Sequence, residues 1–294
     1  MKFVIASGKG GTGKTTVAVN LFEALRREDN IQVEIIDADV EEPNVHLFLA
    51  KEAADIHWET TVVEAKIPAI NKDNCTFCGR CVHFCEYDAI IMQEENQHIE
   101  VVEDLCTSCG ACLYACNDGA ITEEDICIGK LGVYNYENKH LLEGRLDVGK
   151  PFAAPIIKSL KALKNPNRIS IIDSPPGISR TVVEVMYDAE FIIIVAEPSP
   201  FGLNDLKLMV KTLTNMRKDF GVVINRSYGE YKEVHHFLEK KQIPLLMEIP
   251  FKREYAKLNS QTELLIHHDE DLRLKFITLF EEAKNIYIQK SMYR

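Results

Sequence analysis

The residues best placed to do chemistry are cysteines. Eight of the nine fall into two copies of the spacing C-x2-C-x2-C-x3-C: Cys75, Cys78, Cys81 and Cys85, then Cys106, Cys109, Cys112 and Cys116. Three closely spaced thiolates can converge on one cubane iron–sulfur cluster from a single loop. Structural zinc usually takes two separated C-x2-C pairs instead, and disulfide frameworks belong to oxidising compartments. The doubled spacing therefore predicts two 4Fe–4S clusters.

This stretch resembles the bacterial-type two-cluster ferredoxins over about 60 residues. In that family the fourth cysteine of each run ligates the other cluster. The resemblance implies that Cys116 completes the set Cys75, Cys78 and Cys81. It implies equally that Cys85 completes the set Cys106, Cys109 and Cys112. Glu86 and Asn117 stand where the family usually has proline, which shapes the turn but is not a ligand.

A second group of chemistry-bearing residues opens the chain. Residues 8–15 match G-x-x-x-x-G-K-[ST], after an apolar run at 3–6 and before a helical pattern. In such a loop, backbone amides and a helix N-terminus cradle phosphate oxygens. Lys14 is predicted to reach the β- and γ-phosphates, and the Thr15 hydroxyl to ligate Mg²⁺. The predicted ATP- and Mg²⁺-binding residues of the loop are Gly8, Gly10, Gly11, Thr12, Gly13, Lys14, Thr15 and Thr16.

Lys9 makes this loop more specific. The sequence G-K-G-G-x-G-K-T resembles the deviant Walker A loop of the ParA/MinD superfamily of P-loop ATPases, which includes the nitrogenase iron protein. The resemblance implies that Lys9 stabilises transition-state charge at the nucleotide of a partner subunit. It also implies a homodimer that forms with nucleotide, or a heterodimer with a paralogous ATPase.

Three aspartates follow apolar runs at predicted strand ends. Residues 37–44, D-A-D-V-E-E-P-N, resemble the family's first switch, and residues 173–177, D-S-P-P-G, resemble its Walker B motif and second switch. The resemblance implies that Asp39 orients the attacking water and that Asp37 lies nearer the magnesium. It implies that Asp173 holds Mg²⁺ and that the Gly177 amide lies near the γ-phosphate. Catalytic roles are thus expected for Lys9, Lys14 and Asp39.

The family pattern continues to the base-binding side of the site. Asn225 and Arg226 end an apolar run at 222–224 and resemble the strand-end pair that faces adenine. Pro250 follows residues 245–249, at the position where the family closes its base pocket. We expect these three residues to bind the adenosine part of ATP.

Composition and charge bound the class of protein. The net charge is −11, and residues 66–125 contribute −9 of it through twelve acidic and three basic residues. An acidic surface repels nucleic acid and attracts a basic patch, so we expect a redox partner protein and no nucleic acid. Acidity also serves solubility. No apolar stretch nears the roughly 20 residues that span a bilayer, and because the strand expected at 3–6 comes first we expect no signal peptide. Reduced thiols indicate the cytoplasm.

The cysteine runs interrupt the ATPase pattern. We predict an ATPase domain formed by residues 1–65 and 127–294, with a two-cluster ferredoxin-like α+β domain inserted at 66–126. Apolar strands that alternate with helices favour an α/β fold with a doubly wound, mostly parallel sheet. Irregular strands and loops are expected at 130–154, and Cys127 is expected to be a buried thiol. Trp58 is expected to pack, and the apolar face of the C-terminal helix to dock on the sheet.

Three functions remain open. The favoured one is an ATP-hydrolysing switch coupled to electron transfer through two 4Fe–4S clusters. A second is an iron–sulfur cluster assembly or carrier ATPase, although such carriers place a C-x-x-C late in the chain and no cysteine follows Cys127. A third is a MinD-like positioning ATPase in which the clusters are structural.

Overall fold

The computed structural model describes residues 1–49, 59–136, 139–229 and 231–292. Trp58 lies outside these residues. The strands are β1 Lys2–Ala6, β2 Val33–Asp37, β3 Glu59–Ile70, β4 Ile90–Gln93, β5 His98–Val101, β6 Ile121–Tyr136, β7 Lys139–Leu146, β8 Ile169–Asp173, β9 Phe191–Ala196, β10 Phe220–Ser227 and β11 Leu245–Pro250. The helices are α1 Lys14–Arg26, α2 Val45–Leu49, α3 Arg80–His83, α4 Ala111–Ala115, α5 Ala154–Leu163, α6 Arg180–Met186, α7 Pro200–Asn215, α8 Glu233–Lys241, α9 Arg253–Ser260 and α10 Glu270–Ser291.

The main sheet of the described residues has the strand order β11-β10-β9-β1-β8-β2-β7-β6-β3. The strands from β11 to β7 pair in parallel, and β6 pairs antiparallel with both β7 and β3. One apolar core lies under α1, α9 and α10, and a second lies under α5, α6, α7 and α8. Helices on both faces explain why strands such as β9 are buried throughout. The predicted α/β fold with a mostly parallel sheet is confirmed.

The strand order brings the nucleotide motifs together. Strand β1 lies between β8 and β9, and β8 lies between β1 and β2. The carboxyl ends of these parallel strands meet at one edge of the sheet, where open α/β folds bind ligands. The phosphate-binding loop, Asp37 and Asp173 all follow or end these strands, so the fold gathers them at that edge.

Strands β3 and β6 form a long two-stranded ribbon. Its outer half carries the cysteine segment, residues 66–126, and its inner half completes the main sheet. The predicted boundaries fall inside this ribbon, where Ala65 pairs with Ile126 and Lys66 with Asp125. The expectation of irregular structure at 130–154 was wrong, because β6 and β7 are regular paired strands through most of that stretch.

The expectation for Cys127 was also wrong, because this thiol is exposed. The register of β3 against β6 shifts between Val63 and Glu64, which leaves Ile128 as an extra residue opposite them. Ile128 points into the core, and Cys127 therefore faces outward. Its Sγ lies 3.6 Å from Asp147 Oδ2. A β-bulge of this kind turns a neighbouring side chain to the other face.

The two cysteine runs share one backbone conformation at an offset of 31 residues. Phe77 and Ser108 have φ of 52° and 56°, and Gly79 and Gly110 both have φ of 72°. The glycines directly precede α3 and α4. The strand pairing repeats as well, since Ile70 pairs with Ile121 and, 31 residues away on each strand, Val101 pairs with Ile90. The sequence repeat is therefore a structural repeat.

Helix α10 docks on the sheet as predicted. Its residues Leu272, Phe276, Leu279, Phe280 and Ala283 are buried in the core that includes α1. The Phe280 ring lies edge-on to Phe3 of β1, with the ring centroids 5.3 Å apart. None of the described helices combines the length and the apolar character that crossing a bilayer requires.

Candidate functional site

The phosphate-binding loop is packed too closely for side chains at two of its glycines. A Cβ atom at Gly13 would lie 2.3 Å from Asn225 Nδ2, and one at Gly8 would lie 2.6 Å from Asp205 Cβ. Asn225 Nδ2 donates a hydrogen bond of 2.8 Å to the Thr12 carbonyl. Strand β10 and helix α7 therefore hold the loop in place, and the glycines permit the approach.

A buried polar group at the start of α1 suits a magnesium ion. Thr15 Oγ1 donates to Asp173 Oδ2 at 2.6 Å, and Lys14 is buried beside them. Asp173 Oδ1 is buried and has no hydrogen-bond partner among the described residues. Burial raises the pKa of Asp173 to about 7, although Thr15 and Lys14 oppose that rise. A divalent cation would supply the partner that this oxygen lacks, so these residues fit Mg²⁺.

Asp37 anchors the first switch, residues 37–44. Its Oδ2 accepts the N–H groups of Asn44 at 2.8 Å and Val45 at 2.9 Å, and its Oδ1 accepts that of Asp39 at 3.1 Å. Asp37 is also the register neighbour of Asp173 on the adjacent strand. Burial and the Asp173 charge hold the pKa of Asp37 well above its ordinary value. Asp37 was predicted to lie near magnesium, whereas its hydrogen bonds to the switch backbone were not predicted from the sequence.

The other switch residues lie across a cavity between the two switches. Asp39 lines this cavity together with Pro175 and Pro176. Burial raises the pKa of Asp39 to about 6, and the charge of Lys14 opposes that shift. The Gly177 N–H donates to the Ser7 carbonyl at 2.9 Å. This hydrogen bond must break before the Gly177 N–H can donate to a phosphate oxygen.

Lys9 is held within its own subunit in this structure. Its Nζ lies 3.2 Å from Glu197 Oε2, and Arg226 Nη1 lies 2.6 Å from Glu197 Oε1. Two residues with different predicted roles thus share one carboxylate. The predicted contact of Lys9 with a partner's nucleotide requires the Glu197 contact to be exchanged.

A cavity lies where the adenosine part of ATP is expected. It brings together the predicted residues Asn225, Arg226 and Pro250. Its other lining residues include Thr16, Phe251, Tyr255 and Asn259. Thr16 Oγ1 donates to Asn259 Oδ1 at 2.6 Å, which ties α1 to α9. The lining is mixed in polarity, as recognition of a purine base requires.

The eight cysteines of the two runs form two groups of four. Cavity 1 is lined by Cys75, Cys78, Cys81 and Cys116. Cavity 2 is lined by Cys106, Cys109, Cys112 and Cys85. Each group takes three members from one run and the last member from the other, which is the crossed grouping that the resemblance implied. Thiolate donors arranged around a cavity fit a cubane cluster.

Each of the two cysteine groups receives a backbone hydrogen bond at one of its sulfur atoms. The N–H of Phe77 donates to Cys75 Sγ at 3.4 Å, and that of Ala89 donates to Cys85 Sγ at 3.3 Å. Such bonds to sulfur tune iron–sulfur clusters. Burial raises the pKa of the Cys112 thiol to about 11, so a metal bound there would have to stabilise the thiolate.

Three residues that contact the nucleotide site were not predicted from the sequence. Glu197 contacts Lys9 and Arg226, Asn259 contacts Thr16, and Asp205 lies against Gly8. Glu197 could have been predicted as a site residue, because it directly follows β9. Asp37 and Asp173 have similar positions at the ends of their own strands. The other two lie on helices at ordinary surface positions, so only the packing identifies them.

A mostly parallel sheet with a phosphate-binding loop and strand-end aspartates defines a P-loop nucleotide-binding protein. This chain belongs to the CobQ/CobB/MinD/ParA nucleotide-binding domain family, whose model matches residues 3–265. Two uncharacterised proteins of Methanocaldococcus jannaschii, MJ0578 and MJ0579, are each 31% identical to it. The first alignment covers 97% of this chain and 96% of that protein, and the second covers 93% and 94%. Homologues of the family are P-loop ATPases, which supports ATP binding and ATPase activity here.

Solved structures agree on the fold. The septum site-determining protein MinD of Pyrococcus horikoshii, complexed with Mg-ADP, superposes with a TM-score of 0.57 at 20% identity. That match covers 96% of this chain and 94% of that protein. An iron–sulfur cluster carrier protein of Pyrococcus abyssi is 48% identical over 58 residues, which are 20% of this chain and 19% of that protein. The similarity to this carrier is therefore local.

Proposed function

We propose that this chain is an ATP-hydrolysing switch that controls electron transfer through two 4Fe–4S clusters. The observation that carries the proposal is the crossed lining of cavities 1 and 2, each with four cysteines. The nucleotide site lies in the same chain, on the sheet that β3 and β6 join to the cysteine segment. When bound, two cubanes would supply a pair of one-electron carriers.

The nucleotide site needs positioning and charge stabilisation more than covalent chemistry. Lys14 would neutralise charge on the β- and γ-phosphate oxygens, and Thr15 with Asp173 would hold the magnesium. Asp39 lies across the cavity between the switches and would orient the attacking water. Lys9 would leave Glu197 and stabilise charge at the nucleotide of a second subunit. That subunit is a second copy or a paralogue, and the occurrence of two relatives in one organism supports testing both.

The first test is the metal content of protein purified without oxygen. Two cubanes predict about eight irons per chain and the electron paramagnetic resonance signal of reduced 4Fe–4S clusters. ATP hydrolysis should be measurable in the same preparation. A colourless protein without iron would refute the proposed clusters. A protein that neither binds nor hydrolyses ATP would refute the proposed nucleotide switch.

The crossed ligand sets can be tested separately. Cys116→Ser should perturb the cluster held with the first run, and Cys85→Ser the cluster held with the second run. Cys127→Ser is the matched control, because this exposed thiol belongs to neither cavity. If Cys116→Ser perturbs the same spectral component as Cys109→Ser, the crossed assignment is wrong.

The alternative function is iron–sulfur cluster delivery. The local similarity to an iron–sulfur cluster carrier protein favours it. Four thiolates around each cavity favour retained clusters instead, because a carrier must release its cargo. Anaerobic incubation with an apo-ferredoxin distinguishes the two functions. Transfer of iron and sulfide within minutes would support delivery and contradict the electron-transfer proposal.

A further inference from the structure

The first switch and the helix after it rest on strand β7. Asp37 of β2 is the register neighbour of Glu143 of β7. The Leu146 N–H of β7 donates to the Val40 carbonyl at 2.8 Å. His46, in α2, places its Nδ1 2.8 Å from Glu143 Oε2. Residues on both sides of the switch loop are therefore attached to one strand.

The packing at this contact leaves little free space. Glu143 is 1% exposed, so its carboxylate depends on side-chain partners rather than water. His46 contacts one of its oxygens, and Arg145 donates to the other. A Cβ atom at Gly144 would lie 2.7 Å from Val40 Cγ1. A shift of the switch must consequently break the Glu143 contacts or move β7 with it.

Strand β7 is connected to the cysteine segment by its pairing with β6. It pairs with β6 from Leu146 opposite Gly129 to the hairpin, and the Asp147 N–H donates to the Ile128 carbonyl at 2.9 Å. Strand β6 begins at Ile121, five residues after Cys116. The chain after β7 makes a further contact, because Lys150 Nζ lies 3.4 Å from Glu103 Oε2. Strand β3, which pairs with β6, ends at Ile70, five residues before Cys75. Paired backbone therefore connects the switch to both cysteine runs.

We propose that Glu143 is a positioning residue that ties the first switch to β7, so that a change of nucleotide moves the β6–β7 hairpin and the cysteine segment with it. This inference rests on the proposed function and names its coupling element. The coupling runs through the first switch, because Asp37, Val40 and His46 all contact β7.

Hydrogen–deuterium exchange of the full, iron-loaded chain tests the coupling. Mg²⁺ with AMP-PNP should slow amide exchange at 37–49 and also at 121–146 in the wild-type protein. Glu143→Gln removes the negative charge that faces His46 and weakens the charge-assisted hydrogen bond from Arg145. In this variant AMP-PNP should still slow exchange at 37–49. Its effect on exchange at 121–146 should be at least about threefold smaller than in the wild type. His46→Ala removes the switch-side partner and should give the same result.

Glu34→Gln is the matched control. Glu34 is also a buried carboxylate, on β2, but its Oε1 accepts from Ser170 Oγ at 2.7 Å, away from the switch. Both windows should respond to AMP-PNP in this variant as in the wild type.

A second readout measures the coupling as a free energy. AMP-PNP affinity should differ about tenfold between oxidised and reduced wild-type protein, which corresponds to about 59 mV for one electron. In Glu143→Gln this difference should fall below about twofold. Absence of AMP-PNP binding in the wild type would refute the proposed function. Normal binding and hydrolysis with a wild-type response at 121–146 in both variants would overturn this inference alone.

Discussion

Asp173 combines complete burial with a proposed role in holding magnesium, for which its charge is needed. Its pKa is raised to about 7 by burial, above the ordinary value of 3.8. A raised carboxyl pKa means that the folded state holds the proton more tightly than the unfolded state. Stability is therefore lost as the pH rises from about 4 to about 7, unless a cation binds. The same oxygen that lacks a hydrogen-bond partner is the one available to that cation.

Asp173→Asn should separate stability from activity. Without Mg²⁺ at pH 8, the free energy of unfolding should rise by on the order of 1–3 kcal/mol, because the buried charge is gone. At pH 3, where the wild-type carboxyl holds its proton in both the folded and the unfolded state, the two proteins should be equally stable. ATP hydrolysis should fall by about 100-fold or more, since the magnesium loses its anionic partner.

Urea unfolding at both pH values, with chelator present, provides the stability measurement. A variant that is less stable than the wild type at pH 8 would show that the Asp173 charge is already compensated. Asparagine keeps the acceptor for the Thr15 hydroxyl, so the comparison isolates the charge.

At the scale of elements, α10 begins at a small network of side chains. Asp269 Oδ1 accepts the Leu272 N–H at 2.9 Å, and its Oδ2 accepts the Tyr255 hydroxyl at 2.5 Å. Lys252 Nζ lies 3.1 Å from the same Oδ2. The hydrogen bonds from Tyr255 and Leu272 lower the pKa of Asp269 to about 2. The stability from this charge is thus present above about pH 4 and is lost as the pH falls towards 2.

Asp269→Ala should weaken the start of α10. Loss of the N-cap should lower the free energy of unfolding by about 1 kcal/mol at pH 7. The cost should shrink between pH 4 and pH 3, because the wild-type advantage from the charge is then fading. Urea unfolding measures both, with Glu270→Ala as a neighbouring control outside the cap. An equal cost at pH 7 and pH 3 would mean that the charge plays no part.

The elements also show what the sequence could and could not predict. The cysteine runs and the phosphate-binding loop were recognised because their chemistry is concentrated in short, fixed spacings. Strand β3 was missed because its first four residues are exposed on both faces, so the alternation of a half-buried strand begins only at Val63 and is short. The contacts of Glu143 and Glu197 join distant parts of the chain, and no local spacing reports them.

At the scale of the whole molecule, the proposed function requires a second subunit to complete the nucleotide site. Lys9 contacts Glu197 of its own chain. The lysine that is predicted to act on a partner's nucleotide is therefore paired within its own subunit. This exposed contact is weak enough to be exchanged for phosphate when two subunits meet. Sequence resemblance predicted the role of Lys9, and the structure adds the residue that competes for it.

Mixing two inactive variants tests the shared site. Lys9→Ala should lack the lysine that it donates, and Asp39→Ala should lack its own water-orienting carboxylate. Each alone should be nearly inactive, whereas an equal mixture should recover about a quarter of the wild-type hydrolysis rate in a symmetric dimer. Steady-state phosphate release is the measurement.

The control mixture pairs Lys9→Ala with the double variant Lys9→Ala/Asp39→Ala, which restores no complete site. No recovery in the first mixture would show that Lys9 acts within its own chain, and recovery in the control would show that hydrolysis does not require Lys9.

The ribbon of β3 and β6 has a consequence for the history of this architecture. Ala65 and Ile126 are cross-strand neighbours, so the chain enters and leaves the cysteine segment at a single place. A short turn could close the two strands there without disturbing the seven parallel ones. One recombination event at that place could therefore have added the whole cysteine segment to an ancestral nucleotide-binding protein, or removed it.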